Sequence, residues 1–594
     1  MKYFLANISK YSLLLLLVLT IILACSCNAN ENSEEPDITN TPTGAPTENP
    51  PDDEYVDPND GKLRIFADGK YRCKIVRPEY ATKRELEVYV ALRNMLKEIT
   101  GVMPPISTDF LSHNESYDSN EFAILVGTTE YPESTDLYSR LTYSDFRAEL
   151  VNKKYTLGFH DMDTASAGLE KLESLMRQSF KDGELILSES WNYILSTDEI
   201  LKSIPTYDGG TFMDVCEGAY DMQTIIIENT SLDEYNAYLT SVTEKGFKLY
   251  TDNSIGENLF ATFESDKFIL TTMFFADINQ VRVTMEYSGN YSLPSLKEEN
   301  VYSDAGIESS VTQIGLEESA GIQNGMSYVV RLSDGSFIVF DGGTGLAKKQ
   351  FVEVISSLAD DPEHITIAAW IITHAHGDHM GLILSVLFDK NYSDLFDVEQ
   401  IIWSKVGEKQ LKNIGNDNMD YIDKYFEQLD NTKIVIAHPG QVFYLRNAVY
   451  TVYSTIEMVE PFILANLNDS CVVGRLEIDG KSLFFPGDSH PAETEMLTSV
   501  YADDMKSDVV QVIHHGYQGG NATFYAMVDP ITVFWPLGMK NYSTAESPNV
   551  PMKDWGYSAW LFSEEAKVEN IYVAGSDVLT LLIKDLPSHS AVSD

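Results

Sequence analysis

A chain of 594 residues with 90 acidic and 42 basic side chains has a formal charge of −48. So large an acidic excess excludes a protein that coats nucleic acid or anionic lipid indiscriminately, because phosphate contacts need clustered Lys and Arg. The 44% hydrophobic and 11% aromatic content is material for several cored domains, three by length, and five scattered cysteines predict neither a disulfide framework nor a Cys-rich zinc site.

Residues 1–24 join Lys2 and Lys10 to an apolar core from Leu13 to Leu23, with the proportions of a signal peptide. The core ends in Ile22-Leu23-Ala24-Cys25, which resembles a bacterial lipobox. That resemblance implies lipid on Cys25, export, and tethering to membrane lipid on the outer face of the cytoplasmic membrane or at the cell surface. Residues 25–61 read as a disordered acidic linker: from Asn28 to Gly61 there are ten Asp or Glu and no Lys or Arg. Such a stretch repels itself and buries too little apolar surface to offset chain entropy.

Residues 62–200 read as a small α/β domain. Thr82 and Glu85 form a capping box, Leu86, Tyr89, Leu92, Leu96 and Ile99 recur at helical spacing, and Gly101 is a stop. Phe122–Val126 predicts a buried strand and Ala165–Met176 a second helix. This pattern is similar to the α/β domain that precedes the barrel in some glycoside hydrolases, which implies a spacer or a module in contact with glycan. Residues 201–307 predict an α+β unit, with a second capping box at Ser231 and Glu234, a helix to Lys245, and strands at 247–250, 259–263 and 268–275.

Residues 308–587 hold the chemistry. Met326–Leu332, the Asp334-Gly335 turn and Phe337–Phe340 predict a hairpin, and further strands are expected near 400–404, 433–437, 449–454, 471–478, 482–485, 509–513, 531–534 and 578–583. The apolar run Ile365–Ile372 delivers His374-Ala375-His376-Gly377-Asp378-His379, which places three of the chain's eleven histidines and a carboxylate within six residues. His374 and His376 lie two apart and project the same way, and neutral imidazoles suit zinc-like ions. Gly377 permits a turn that aims Asp378 and His379 at a second ion.

This motif resembles that of the metallo-β-lactamase superfamily, and three further segments follow in the family's order. Phe337–Gly343 looks like the strand whose Asp341 supports the metal loop, Leu483–Asp488 like the strand whose Asp488 bridges both metals, and Val509–Gly516 like the strand with the last His ligand. The resemblance implies a four-layer αββα sandwich behind two smaller α/β or α+β domains. It also implies two divalent ions, zinc first and manganese as the alternative, held by His374, His376, Asp378, His379, Asp488 and His515.

One departure stands out. The family supplies a third His to the first ion, yet no His lies between His438 and Asp488, and His438 falls ahead of two intervening strands. In the expected place stands Asn466-Leu-Asn468-Asp469-Ser470, which together with His514-His515-Gly516 resembles the ComEC-like branch and puts Asp469 or Ser470 forward as a ligand of the first ion. An oxygen ligand there would loosen the site and favour manganese. Asp378 is expected to orient the attacking water, and His514 either protonates the leaving group or packs as a structural histidine. The expected reaction is hydrolysis of a phosphoester or other small, surface-presented ester. A ComEC-like nuclease and a non-catalytic glycan-binding lipoprotein are the alternatives. The cluster Lys405, Lys409 and Lys412 reads as a solvated helical face, which leaves long nucleic acid without a groove.

Overall fold

The structure, a computed structural model, describes residues 61–589 apart from 112–115, 119, 317–324, 415–419, 463 and 540–556. The expected signal peptide, Cys25 and all but Gly61 of the expected acidic linker lie outside the described residues. Among the described residues no helix is long and apolar enough to cross a membrane.

After a small sheet that holds Arg64–Ala67 and Lys70–Tyr71, the N-terminal region forms a six-stranded sheet in the order Tyr193–Ser196, Asp145–Val151, Lys154–Phe159, Ala123–Val126, Lys74–Arg77 and Ile106–Thr108. The last four run parallel. Helix Lys83–Thr100 begins at the Thr82 capping box and ends at left-handed Gly101 (φ 79°). Glu85 is buried because it also accepts from Thr128 N at 2.7 Å, which ties the helix to the loop after Ala123–Val126. Helix Met162–Ser179 is longer than its apolar stripe foretold, because Asp161 caps its start through Thr164 N.

The second sheet is antiparallel, in the order Thr211–Glu217, Gln223–Glu228, Gln280–Tyr287, Phe268–Phe275, Asn258–Glu264 and Lys248–Ile255. The sequence reading missed the first three strands. Helix Leu232–Glu244, capped by Ser231, covers one face through Tyr235, Tyr238 and Val242. The other face is also apolar, and Phe260, Met273 and Phe275 pack with Tyr453, Met458 and Tyr501 of the C-terminal region. Strand Phe268–Phe275 is buried along its whole length for that reason.

The C-terminal region is built on two sheets. One runs Lys433–Ile436, Gln400–Trp403, Ile365–Ile371, Phe337–Asp341, Ser327–Arg331, Ser310–Ile314 and Val578–Leu582; the other runs Val442–Leu445, Ala448–Ser454, Val473–Ile478, Lys481–Phe485, Val509–Gln511, Thr532–Trp535 and Asn570–Val573. Between them lies a core in which Phe340 and Phe485 stack at 3.9 Å. Losing either ring would leave a cavity costing roughly 3–5 kcal/mol. Helices Lys348–Leu358 and Gly381–Leu387 cover the first sheet through Phe351, Ile355, Leu382 and Val386. Helices Pro491–Tyr501 and Ala522–Val528 cover the second through Leu497, Phe524 and Val528. The result is the four-layer αββα sandwich.

Two local expectations are corrected. Lys405 is buried rather than solvated: its ammonium pairs with Asp423 at 2.5 Å and lies 4.5 Å from the Tyr220 ring. His514 and His515 do not continue a strand, since Val509–Gln511 ends first and both residues turn through positive φ (48° and 55°).

Candidate metal centre

Parallel strands set the site. Phe337–Asp341 pairs in parallel with Ile365–Ile371, and Lys481–Phe485, Val509–Gln511 and Thr532–Trp535 pair in parallel in the other sheet. The loops at their carboxyl ends carry Asp341, residues 372–380, Asp488 and His515, so two sheets present one shared edge. Backbone bonds join the loops: Val472 N donates to Thr373 O at 2.7 Å and His514 N to Gly487 O at 3.1 Å. Gly487 has φ +59°, and a Cβ there would lie 2.8 Å from Thr373 Cβ. Gln511 holds this glycine at both ends, accepting from its N at 2.9 Å and donating to its O at 3.1 Å.

Asp341 organises the histidine loop. Its carboxylate accepts from Thr373 N (2.7 Å), Thr373 Oγ1 (2.8 Å) and His379 Nδ1 (2.7 Å). Thr373 Oγ1 therefore offers a lone pair to His374 Nδ1, 3.1 Å away. His515 Nδ1 donates to Pro536 O at 2.7 Å, and Gly516 lies flat against Trp535, whose Nε1 donates to His515 O at 2.7 Å. In each of these rings the partner engages Nδ1 and turns Nε2 toward the cluster, the orientation a metal ligand requires, and a bound cation would take the place of the proton that Asp488 favours on His379 and His515.

Those ring nitrogens converge. Asp488 Oδ2 lies 3.1 Å from His379 Nε2, 3.4 Å from His515 Nε2 and 3.8 Å from His514 Nε2. His374 Nε2 and His376 Nδ1 are 2.9 Å apart, and Asp378 Oδ2 is 3.9 Å from His515 Nε2. Two groups have the spacing of a metal shell, His374 with His379 and Asp488, and Asp378 with His379 and His515. His379 Nε2, His515 Nε2 and Asp488 Oδ1 are buried with no hydrogen-bond partner. Buried polar atoms are seldom left unpaired, so this donor set fits cations that would occupy both groups.

Electrostatics follow from burial and proximity. Burial opposes charge on Asp488, but His379 and His515 outweigh it and hold the carboxyl well below the usual range. Burial likewise opposes charge on His379, and Asp488 with Asp341 overcomes it, so its value is raised well above normal. His374, with burial and the His379 charge acting together, is pushed well below.

The departure segment is reorganised. Asp469 is not brought to the cluster: its Oδ2 accepts from Ala465 N at 2.7 Å and Asn466 N at 3.2 Å, capping the turn Leu467–Ser470. Its Oδ1 lies 3.4 Å from His490 Nδ1. Asn468 reaches inward instead, its Nδ2 standing 3.1 Å from His514 Nε2 and 3.3 Å from His490 Nε2, while its Oδ1 is a buried orphan. Gln518 also meets His490 Nε2, at 2.8 Å. Burial first, then neighbouring histidines, lower His514 to about 4, so it is a neutral acceptor at neutral pH rather than an acid. The sequence reading missed His490, Asn468, Gln518 and the buried Glu493, which burial pushes up to about 8 and which accepts from Ser454 Oγ at 2.7 Å. One signal was present: His490 follows Asp488 by two residues. His438 lies apart, between Glu457 (2.7 Å) and Glu286 (3.3 Å).

Residues 320–393, which include the whole histidine loop, match the family model described as metallo-beta-lactamase superfamily. No curated protein matches the chain. Among solved structures, the metallo-beta-lactamase fold protein YhfI from Bacillus subtilis is 16% identical, with TM-score 0.30, covering 46% of this chain and 100% of its own. Unliganded yeast PDE1 is 11% identical, with TM-score 0.32, covering 47% of this chain and 100% of its own. CmlA, a diiron beta-hydroxylase from Streptomyces venezuelae, is 12% identical, with TM-score 0.28, covering 47% of this chain and 55% of its own. The C-terminal region of the chain carries a metallo-beta-lactamase superfamily domain.

Proposed function

We propose that this domain is a metal-dependent hydrolase acting on a small or surface-presented ester, a phosphoester first. The carrying observation is the pair of groups with metal-shell spacing, His374 with His379 and Asp488 and Asp378 with His379 and His515, beside which His376 Nδ1 stands 2.9 Å from His374 Nε2. Two divalent ions bound there would supply Lewis acidity and an activated water. The imidazole-rich set favours zinc, with manganese the alternative because Asn468 rather than a His faces the cluster beside His514.

The chain's own residues do the rest. Asp341 and the Pro536 carbonyl fix two rings so that their Nε2 atoms face the cluster without rearrangement. Asp488 stays ionised in a buried setting and is the negative centre between the two groups. Asp378, half-buried next to His515, is placed to orient the attacking water. His514, neutral and held by Asn468, is assigned to contact substrate rather than to protonate a leaving group.

The Asn466–Ser470 turn and the His514-His515-Gly516 turn keep the ComEC-like branch, and with it a nuclease, as the competing assignment. Electrostatics argue against it: Lys405 is paired internally with Asp423, and Lys412 stands 3.8 Å from Glu408. The test is turnover by the metal-loaded full chain on p-nitrophenyl phosphate, bis-p-nitrophenyl phosphate, nitrocefin and a single-stranded oligonucleotide. Phosphoester turnover is expected, with the oligonucleotide bound more weakly than about 10 µM at physiological salt. Tight, salt-sensitive DNA binding with cutting would establish the nuclease instead, and no turnover of any probe would point to a binding protein.

A further inference from the structure

Beside the metal centre, three loops bring a chain of polar side chains together. Asn468 lies in the turn Leu467–Ser470, His490 follows strand Lys481–Phe485, and His514 and Gln518 follow Val509–Gln511. The Asp469 carboxylate stands 3.4 Å from His490 Nδ1, so that nitrogen carries the proton and Nε2 accepts, from Gln518 Nε2 at 2.8 Å and Asn468 Nδ2 at 3.3 Å. The same Asn468 nitrogen lies 3.1 Å from His514 Nε2 and 3.5 Å from its Nδ1. Such similar distances put the amide across the imidazole rather than in line with either nitrogen, a contact that fixes how the ring is turned. His514 Nε2 is left 3.8 Å from Asp488 Oδ2, the oxygen that also meets His379 and His515.

His514 needs this support. It and His515 both turn through positive φ, which residues with a Cβ disfavour. His515 is pinned at its ring by Pro536 O and at its carbonyl by Trp535 Nε1. The His514 backbone N donates to Gly487 O, but among the described residues Asn468 is the one side chain within hydrogen-bond distance of its ring. Asn468 itself is buried with Oδ1 unpaired. An amide kept for stability alone would have both ends satisfied, since a buried orphan acceptor is costly. This one is committed through its nitrogen to the two rings.

We propose that His490, with Asp469 behind it, is a positioning residue for His514: it holds the Asn468 amide across the His514 ring and so aims Nε2 at the place beside Asp488 where substrate would sit. The ring then offers substrate a fixed contact instead of a mobile one, which lowers the cost of ordering it on binding. The substrate's part in this rests on the hydrolase reading, whereas the positioning belongs to the side chains themselves and is measurable without turnover.

The experiment uses the full chain with isotope-labelled histidine and two readouts. In the metal-chelated protein the His514 ring NMR signals, identified by their loss in His514→Ala, should shift or double in His490→Leu. They should return to the wild-type position in His490→Gln, which keeps an acceptor near Nε2 but no ring. In the zinc-loaded protein, phenylphosphonate should bind about tenfold more weakly to His490→Leu at unchanged metal content, read by calorimetry. The double variant His490→Leu/His514→Ala should bind it as His514→Ala does, to within about twofold. That non-additivity separates a residue acting through His514 from one that supports the fold alone. Asn468→Ala, which removes the link, should reproduce the shift if His490→Leu fails to fold. Unmoved His514 signals in the folded variants, or losses that add in the double variant, would overturn the proposal. A wild type that binds no phenylphosphonate would count against the phosphoester reading instead, and the ring signals would then decide the positioning role.

Discussion

Asp341 Oδ2 and His379 Nδ1 lie 2.7 Å apart, both fully buried, and this contact links the end of one strand to the last histidine of the metal loop. The same carboxylate holds Thr373, so it sets both the tautomer of His379 and the start of the loop. Asp341→Asn should keep the fold and weaken metal binding about 10–100-fold, the usual effect of losing such a partner. Competition against a chromogenic chelator measures it; unchanged affinity would remove Asp341 from the design of the site.

Asp469→Asn separates the ligand expected from sequence from the turn-capping residue seen in the structure. Metal stoichiometry should stay at the wild-type value while stability falls by about 1 kcal/mol through the weakened cap. Loss of one equivalent of metal, read by elemental analysis, would return Asp469 to the ligand shell.

Three buried groups point to one pH trend. Burial opposes charge on His438, yet Glu457 and Glu286 raise it to about 10. Burial, reinforced by Glu457, raises Glu460 to about 8, and burial raises Glu493 to about 8. In each case the folded protein holds its proton more tightly than the unfolded chain. The His438 contribution is therefore complete below about pH 6.5 and lost as pH rises through 10, and the glutamate contributions are complete below about pH 4.5 and lost through 8. Urea unfolding with metal chelated should show stability falling from pH 6.5 to 9.5. His438→Gln should flatten the portion above pH 8. Stability rising across that range would contradict the buried network.

Cys25 lies outside the described residues, and its lipidation rests on Ile22-Leu23-Ala24 before it. The mature protein should partition into detergent, and Cys25→Ser should release it to the aqueous phase. A variant equally membrane-bound and normally processed would dismiss the anchor.

The parts of the fold that could be read from sequence are those fixed by neighbours in the chain. The Thr82 and Ser231 capping boxes, the Asp334-Gly335 hairpin and the histidine loop all depend on contacts within a few residues. Strand Gln223–Glu228 was missed because it is buried on both faces and lacks alternation. Gln280–Tyr287 does alternate, with Gln280, Arg282, Thr284 and Glu286 between Val281, Val283, Met285 and Tyr287, and was legible but not read. His490 and Asn468 come together across 22 residues, and only tertiary packing makes that contact. Lys405 misled because helical spacing cannot report that Asp423 and the Tyr220 ring enclose its ammonium. The two positive φ values at His514 and His515 misled similarly, since an apolar run before a motif shows a strand but not where it stops.

The central claim is that Asp488, at 3.1 Å from His379 and 3.4 Å from His515, is the carboxylate common to a two-ion site. Elemental analysis of the purified wild type and Asp488→Ala, each with its circular dichroism spectrum, tests it most directly. About two equivalents of divalent metal in the wild type and loss from both sites in the folded variant are expected. A folded Asp488→Ala protein that retains its full metal complement would contradict the account.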